Sequence, residues 1–150
     1  MSYLNNNPDS KVLAVIGSRG ITPEGTKKLI DFLEKNKAKI KYIVSGGCKN
    51  SADEVAHEWA KKSGFLMCIY YPKWHDENGN FIKSAGFVRN RAIIEAASVV
   101  LSVYDQVSKG TAHGMQMARD MGKRLIVINF EKAPPQPKFK DLLDKEECPI

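Results

Sequence analysis

Three short segments of the chain combine glycine with a small hydroxyl residue and a charged side chain. They read GSRG at 17–20, SGGCKNSAD at 45–53 and DQVSKGTAHG at 105–114. Glycine lets a ligand approach the backbone closely, and hydroxyl and basic side chains donate the hydrogen bonds that phosphates accept. The segments therefore indicate an anion-binding site. The alternative is that each is only a turn that leads into a helix, where glycine and serine are common.

Basic and amide side chains in or beside these segments are candidate ligand contacts. Arg19 follows a glycine turn, where its fork of donors could hold a phosphate. Arg89 and Asn90 lie at the start of a predicted helix, from which their side chains can reach back towards a pocket. Lys109 precedes Gly110 and could neutralise a phosphate. The alternative in each case is a solvated surface residue.

Two acids and one aromatic residue each allow two interpretations. Asp53 could accept hydrogen bonds from ribose hydroxyls. It could instead lie in the first turn of a helix, where the helix dipole stabilises a carboxylate. Asp105 ends a predicted strand, where it could take part in chemistry or hold the following loop. Trp74, in the longest loop, could stack on a base or pack on the domain surface.

The cysteines and histidines do not indicate metal or thiol chemistry. The three cysteines, Cys48, Cys68 and Cys148, form no CxxC pair, and their odd number is typical of reduced thiols in a cytoplasm. Cys48 precedes a predicted helix, but no base is placed beside it, so a nucleophilic role is not expected. The histidines have no metal-ligand spacing with the cysteines, and we predict no metal and no cofactor.

Regular alternation of strands and helices must position these residues. Apolar, β-branched runs predict strands, and apolar side chains at helical spacing predict helices. The predicted strands are 11–16, 40–44, 65–71, 98–104 and 124–130, and the predicted helices are 22–37, 51–64, 87–97 and 111–122. Thr22 and Ser51 are predicted N-caps, and Gly64 and Gly122 are predicted helix ends. Strands separated by helices pair in parallel, so the pattern predicts a three-layer α/β/α sandwich with about five parallel strands.

The predicted fold places the chemistry-bearing segments at one edge of the sheet. In a doubly wound sheet, ligands bind outside the carboxyl ends of the strands, where the strand order reverses. All three glycine-containing segments follow strands, and each leads into a helix whose N-terminus favours anions. The long loop 72–86, which carries Trp74, follows the third predicted strand.

Composition limits the class of protein. The 150 residues carry a net charge of +6, with 43% hydrophobic residues and no apolar run long enough to span a bilayer. We expect one domain at 11–130, a disordered tail at 1–10, and a proline-containing tail at 131–150 with a possible short helix near 138–145. The N-terminus has no signal-peptide pattern, so a cytoplasmic protein without a membrane partner is expected. The positive charge allows a nucleic-acid partner, but the lysines are scattered and no reading helix is evident.

The ordered motifs resemble the SLOG superfamily of Rossmann-like domains. They are VIGSRG, VSGGCKNSADEVAHEWA, YPKWHDENGNFIKSAGFVRNRAII and VSKGTAHGMQMARDMGKRLIVI. The chain is most similar to the small stand-alone members related to YspA, and more distantly to the lonely-guy phosphoribohydrolases and the DNA-processing protein A fold. This resemblance covers about residues 11 to 130. It implies a nucleotide or nucleotide-derived ligand and a homo-oligomer.

The resemblance also implies individual site residues. Residues that match its ligand-binding positions are Gly17, Ser18, Arg19, Ser45, Gly46, Gly47, Asp53, Arg89, Asn90, Gly110 and Thr111; Trp74 and Lys109 complete the candidate set. Arg89 and Asn90 match a motif that holds a catalytic Arg in the lonely-guy enzymes. The catalytic Glu of those enzymes corresponds to Gly114 here, which argues against phosphoribohydrolase activity.

Three functions follow in order of preference. The first is binding, for sensing or sequestration, of a nucleotide or an ADP-ribose-like molecule. The second is hydrolysis of N-glycosidic bonds in nucleoside 5′-monophosphates or related nucleotides, with Arg89, Asp53 and Asp105 as the catalytic candidates. The third is nucleic-acid binding.

Overall fold

The structure is a computed structural model and describes residues 7–132. Nine strands and α-helices alternate along these described residues. They are β1 (Lys11–Gly17), α1 (Pro23–Lys35), β2 (Ile40–Ser45), α2 (Ala52–Ser63), β3 (Met67–Ile69), α3 (Ala85–Ala96), β4 (Val99–Tyr104), α4 (Lys109–Asp120) and β5 (Arg124–Asn129). A single 3-10 turn, Lys37–Lys39, separates α1 from β2.

The five strands form one parallel sheet in the order β3-β2-β1-β4-β5. The predicted α/β/α architecture with five parallel strands is confirmed. The chain adds β2 and β3 on one side of β1 and then returns to add β4 and β5 on the other side. The strand order therefore reverses between β1 and β4, and a crevice is expected outside the carboxyl ends of these two strands.

Alternating side chains of the strands cover two separate cores. Leu13 and Val15 of β1 pack on one side of the sheet, whereas Ala14 between them packs on the other. The first core is closed by α1 and α2, whose buried residues include Leu29, Leu33, Ala56 and Ala60. The second core is closed by α3 and α4 through Ile93, Ile94 and Ala118. Burial of each large aliphatic side chain stabilises the fold by roughly 1.5–3 kcal/mol.

The predicted helix caps of α1 and α2 are present. The Thr22 hydroxyl accepts a hydrogen bond from the N–H of Gly25 at 3.1 Å, and Pro23 occupies the first turn of α1. Ser51 accepts from the N–H of Asp53 at 3.2 Å. Gly64 ends α2 in the left-handed region, with φ of 76°.

The bounds of the elements lie within two residues of the predictions, and the differences at β3, α3 and α4 affect the residues near the carboxyl edge of the sheet. The third strand covers Met67–Ile69 and not 65–71, because the N–H of Phe65 closes the end of α2 on Ala60 and only three residue pairs join β3 to β2. Helix α3 begins at Ala85 and α4 begins at Lys109, each two residues earlier than predicted. As a consequence, Gly110 lies in the first turn of α4 and not in the loop before it, together with Thr111.

The ends of the described chain have limited structure. Residues 7–10 form a turn in which the N–H of Ser10 donates to the carbonyl of Asn7, and the Asn7 side chain donates to the carbonyl of Ala38. The predicted helix near 138–145 lies outside the described residues. Across residues 7–132, no helix is long and apolar enough to cross a membrane.

Candidate functional site

A cleft of about 380 Å³ opens at the carboxyl edge of the sheet, where the strand order reverses. The loops after β1, β2 and β4 form its walls, and α3 closes one side. Ile93 and Ile94 of α3, both buried, contribute an apolar floor. The predicted ligand-binding residues that line the cleft are Gly17, Ser18, Arg19, Gly46, Asp53, Arg89, Asn90, Gly110 and Thr111.

Ser18 joins the loop after β1 to the loop after β4. This buried serine donates its N–H to the carbonyl of Val103 at 3.0 Å, and its hydroxyl accepts from the N–H of Asp105 at 3.2 Å. The same hydroxyl lies 3.1 Å from that of Thr111. These contacts fix the first turn of α4 beside β1, so the two loops act as one rigid wall of the cleft.

Asp105 holds the loop that precedes α4. Its Oδ1 accepts hydrogen bonds from the N–H groups of Val107 at 3.0 Å and Ser108 at 2.7 Å, and its Oδ2 lies 3.8 Å from Nζ of Lys132. Burial acts to raise the pKa of Asp105, but these hydrogen bonds and the Ser18 hydroxyl outweigh it, so the pKa is below its usual value. The carboxylate is therefore charged at neutral pH, and its Oδ1 is engaged in hydrogen bonds with the backbone of the loop before α4.

The N-terminus of α4 faces the cleft. Ser108 caps the helix without a side-chain hydrogen bond to a backbone N–H, and the N–H groups of Gly110 and Thr111 have no acceptor among residues 7–132. A Cβ at Gly110 would meet no atom within 4 Å, so this turn is open to a ligand. Arg19 and Lys132 line the same region. Unpaired N–H groups, a helix dipole and two cations together favour an anion.

Arg89 lies against the backbone at the end of β2. Its Nη1 donates to the carbonyls of Gly46 at 3.1 Å and Tyr70 at 3.4 Å, and its Nε donates to Oδ1 of Asn90 at 2.8 Å. A Cβ at Gly46 would lie 2.8 Å from Nη1 of Arg89. A side chain at position 46 would displace the guanidinium that packs on the backbone there.

Asp53 occupies the second position of α2 and is almost fully buried. Its Oδ2 accepts from the N–H of Cys48 at 3.0 Å, whereas its Oδ1 has no hydrogen-bond partner among the described residues. Burial raises the pKa of Asp53, although the Cys48 N–H and the charge of Arg89 act in the opposite direction. Asp53 lies in the first turn of a helix and also lines the cleft, and its contact with a ligand stays a prediction.

Cys48 is a half-buried free thiol in the same wall. Burial raises its pKa, and the Asp53 carboxylate raises it further. A thiol in this environment is a poor nucleophile, consistent with the prediction from the sequence. Nowhere in the described part of the chain do three or more His, Cys, Asp or Glu residues form a group that could hold a metal ion.

Four predicted contacts do not line the cleft. Ser45 is buried in the sheet edge, where its hydroxyl accepts from the N–H of Gly47. Gly47 has φ of 67°, and a Cβ there would lie 2.6 Å from Cγ2 of Ile69. Trp74 stacks on Phe81 with ring centroids 5.8 Å apart, and Lys109 is exposed on α4. These placements favour the structural interpretations of Gly47 and Trp74.

Lys132 and Ser108 line the cleft but were not among the predicted contacts. The sequence signal for Ser108 was present, because it precedes Lys109 and Gly110 directly. Lys132 follows the end of β5, and its proximity to Asp105 depends on the pairing of β5 with β4. The order of strands in the sheet would have been needed to predict that contact.

The chain resembles solved structures of low sequence identity. The molybdenum cofactor binding protein from the phototrophic bacterium Rippkaea orientalis superposes with a TM-score of 0.65 and 20% identity, over 83% of this chain and 80% of that one. DNA processing protein A from Helicobacter pylori, described for its single-stranded DNA binding mode, gives 0.63 and 22%, over 95% and 77%. The molybdenum cofactor carrier protein from Chlamydomonas reinhardtii gives 0.61 and 16%, over 89% and 84%.

Their likeness confirms the Rossmann-like α/β fold. The relation to the SLOG superfamily, to YspA and to the lonely-guy enzymes stays a prediction, as does the homo-oligomer. No family model matches the sequence, and no curated protein matches it. At 16–22% identity the likeness concerns the fold alone.

Proposed function

We propose that this protein binds a phosphate-bearing, nucleotide-like small molecule, of the mononucleotide or ADP-ribose type, and acts as a sensor or a sequestering protein. The observation that carries the proposal is the open first turn of α4 at the strand-order reversal, with Arg19 and Lys132 beside it. Backbone N–H groups at a helix N-terminus form a ready site for phosphate. The molybdenum cofactor proteins of similar fold provide examples of cofactor binding by such a fold.

The phosphate group accounts for most of the expected affinity. The N–H groups of Gly110 and Thr111 donate to phosphate oxygens, and Arg19 and Lys132 balance the negative charge. Each hydrogen bond to a charged group contributes roughly 1.5–3 kcal/mol. The rest of the ligand lies in the remainder of the cleft, where a base or sugar buries part of its own apolar surface.

Calorimetric titration with phosphate-bearing and phosphate-free probes tests this proposal. We expect saturable binding of AMP or ADP-ribose, and at least tenfold weaker binding of adenosine, which lacks the phosphate. A labelled single-stranded oligonucleotide, included because of the net charge of +6, is expected to bind no more tightly than AMP. Equal affinity for AMP and adenosine would show that α4 does not hold a phosphate.

Hydrolysis of an N-glycosidic bond is the second candidate function. The specific observation in its favour is that Asp53 and Asp105 line one cleft with pKa values shifted in opposite directions. Such a pair can divide the roles of proton donor and charge stabiliser. Chromatography of AMP after prolonged incubation with the protein separates the two functions: intact AMP supports binding alone, and released adenine supports the hydrolase.

A further inference from the structure

A second depression adjoins the cleft at Arg89. It is a groove of about 600 Å³ between the end of β3 and α3, and its apolar lining includes Ile69, Tyr71, Ile82, Val88 and Ala92. Its volume lies in the range of small-molecule pockets, roughly 300–1,000 Å³, which are lined mainly by apolar and aromatic side chains. Arg89 lines the groove as well as the cleft, so the two depressions are neighbours along the carboxyl edge of the sheet.

Helix α3 presents adjacent faces to the two depressions. Asn90 and Ile94 line the cleft, whereas Val88 and Ala92 line the groove, and residues four apart share one face of a helix. Arg89 lies between these two faces, and its guanidinium rests on the backbone at the ends of β2 and β3. A ligand that extends from the cleft into the groove therefore passes a positive charge.

Tyr71 is an exposed aromatic residue at the junction of the cleft and the groove. Its relative exposure is 74%, and it makes no hydrogen bond or ring contact with another residue of the range 7–132. Its Cε1 lies 3.7 Å from the position that a Cβ at Gly47 would take, directly after Gly46 of the cleft. Val88, in the same groove, is 64% exposed. Exposed apolar side chains that share a groove mark a binding surface, and an aromatic ring favours a flat partner.

We infer that this groove is the subsite for the planar ring of the ligand, which stacks on Tyr71 while the terminal phosphate lies at α4. The inference rests on the proposed function, because it concerns the far end of the same molecule. The phosphate position follows β4 and the groove follows β3, with β1 and β2 between them. Three strand spacings of about 4.8 Å each separate the two positions by roughly 14 Å.

This span selects the length of the ligand. In AMP a single ribose joins the phosphate to the base. ADP has a second phosphate, which lengthens the molecule and brings a further negative charge past Arg89. The ligand class that fits both ends is therefore a nucleoside diphosphate, free or as part of a larger molecule, with its sugar in the cleft and its base in the groove.

Calorimetric titration with ADP, AMP and inorganic pyrophosphate tests the inference. Pyrophosphate carries the anionic end without a ring, and AMP carries the ring closer to its phosphate. We expect the wild type to bind ADP at least tenfold more tightly than either of the others, the range that stacking of one base on an aromatic side chain supplies. Equal affinities for ADP and AMP, or for ADP and pyrophosphate, would overturn the inference while phosphate binding stands. If the wild type binds none of the three, both the inference and the proposed function fail.

Variants of Tyr71 identify the residue that holds the ring. Tyr71→Ala should lower the affinity for ADP about tenfold and leave that for pyrophosphate unchanged, whereas Tyr71→Phe should keep both because it retains the ring. Phe87→Ala is the matched control, since Phe87 is an exposed aromatic residue of α3 that contacts His113 outside the groove. Unchanged ADP affinity in Tyr71→Ala, or an equal loss for ADP and pyrophosphate, would overturn the inference.

Two further measurements exclude a folding defect and a second copy of the chain as the occupant. In the wild-type protein with ADP, nuclear Overhauser effects should join the adenine protons to the ring protons of Tyr71, and their absence would overturn the inference. Val88→Asp places a charge on the groove wall and should weaken ADP binding without changing the sedimentation coefficient. If this variant instead dissociates an oligomer and keeps its ADP affinity, the groove is an interface between copies and the inference is wrong.

Discussion

At the scale of single residues, the two arginines of the cleft have different roles. Arg89 donates hydrogen bonds to two backbone carbonyls and to Asn90, so it stabilises the wall of the cleft in addition to any contact with a ligand. Arg19 makes no hydrogen bond or salt bridge with another residue of the described range, and it is exposed at the mouth of the cleft. Its charge is available to a ligand.

Arg19→Ala should therefore weaken AMP binding by about ten- to a hundredfold without changing the thermal midpoint of unfolding, because one charge-assisted contact is lost and no internal contact is. Lys61→Ala is the matched control, since it removes the same charge from the far end of α2. Calorimetric titration and thermal melts of both variants check this. Equal affinities for the wild type and Arg19→Ala would remove Arg19 from the site.

Residue types and spacing were sufficient to predict much of the cleft. Arg19, Asp53, Gly110 and Thr111 lie in the loops or helix starts that follow strands, and the carboxyl ends of parallel strands meet at one edge. The reason for Gly46 could not be predicted, because the packing of Arg89 on that residue is a contact between positions 43 residues apart. A glycine that is needed for ligand approach and one that is needed for a neighbouring side chain look the same in a sequence.

At the scale of elements, the N-terminus of α4 is the feature on which phosphate binding depends. Gly110→Asp places a carboxylate in the first turn, where it interacts favourably with the helix dipole and occupies open space. We expect the stability to stay the same or rise by up to about 1 kcal/mol, since glycine is a poor helix former. The AMP affinity should fall at least tenfold, because the carboxylate competes for the N–H groups and repels the phosphate.

Gly110→Asn is the control for shape, since it has a similar volume without the charge. It should retain more AMP affinity than Gly110→Asp. Urea unfolding and calorimetric titration on both variants separate the fold from the site. If both variants bind AMP as the wild type does, the ligand lies elsewhere in the cleft.

The C-terminus of α2 provides the opposite case, a helix end without a role in the site. Gly64 has φ of 76°, so Gly64→Ala forces an alanine into the left-handed region and should cost about 1–2 kcal/mol of unfolding free energy. Because this residue lies far from the carboxyl edge of the sheet, the folded variant should keep its AMP affinity. Urea unfolding and titration below the midpoint test both expectations, and lost affinity in folded protein would contradict them.

Helix caps were predictable from sequence because their chemistry is local. Thr22 and Ser51 each contact an N–H two or three residues ahead. The start of α4 was predicted two residues late, because it depends on the Asp105 carboxylate, which turns the loop through the N–H groups of Val107 and Ser108. The extent of β3 depends on its pairing with β2, which local pattern does not reveal.

At the scale of the whole molecule, Asp53 and Asp105, the two buried acids of the cleft, should change the free energy of unfolding in opposite directions as the pH is lowered. Asp53 has a raised pKa in the folded state, so its destabilising effect is present at neutral pH and disappears as the pH falls below that pKa. Asp105 has a lowered pKa, so its stabilising effect is present at neutral pH and is lost as the pH falls through it.

Asp53→Asn should accordingly be more stable than the wild type at pH 7, and Asp105→Asn should be less stable. The difference for Asp53→Asn should shrink as the pH falls from 7 through the raised pKa of Asp53, whereas the difference for Asp105→Asn should shrink only below the usual aspartate pKa of 3.8. Urea unfolding from pH 7 down to about pH 3 measures both. A stabilised Asp53→Asn protein that binds AMP poorly would indicate that this carboxylate is retained for the ligand at a cost in stability. Two variants that change in the same direction at pH 7 would contradict the opposite pKa shifts.

The overall topology links these scales, because the reversal of strand order between β1 and β4 brings the three loops together. The alternation of strands and helices was sufficient to predict the layers and the edge that carries the site. It did not specify which strands are neighbours. The contact between Lys132 and Asp105 could therefore not be predicted.

The central claim is that α4 binds a phosphate through its first turn. An amide ¹H–¹⁵N correlation spectrum recorded during titration with AMP tests it most directly, with adenosine as the phosphate-free control. We expect saturable shifts of the Gly110 and Thr111 amides with AMP and much smaller shifts with adenosine, because these N–H groups acquire charged acceptors. Unchanged Gly110 and Thr111 signals at saturating AMP, or equal shifts with adenosine, would contradict it.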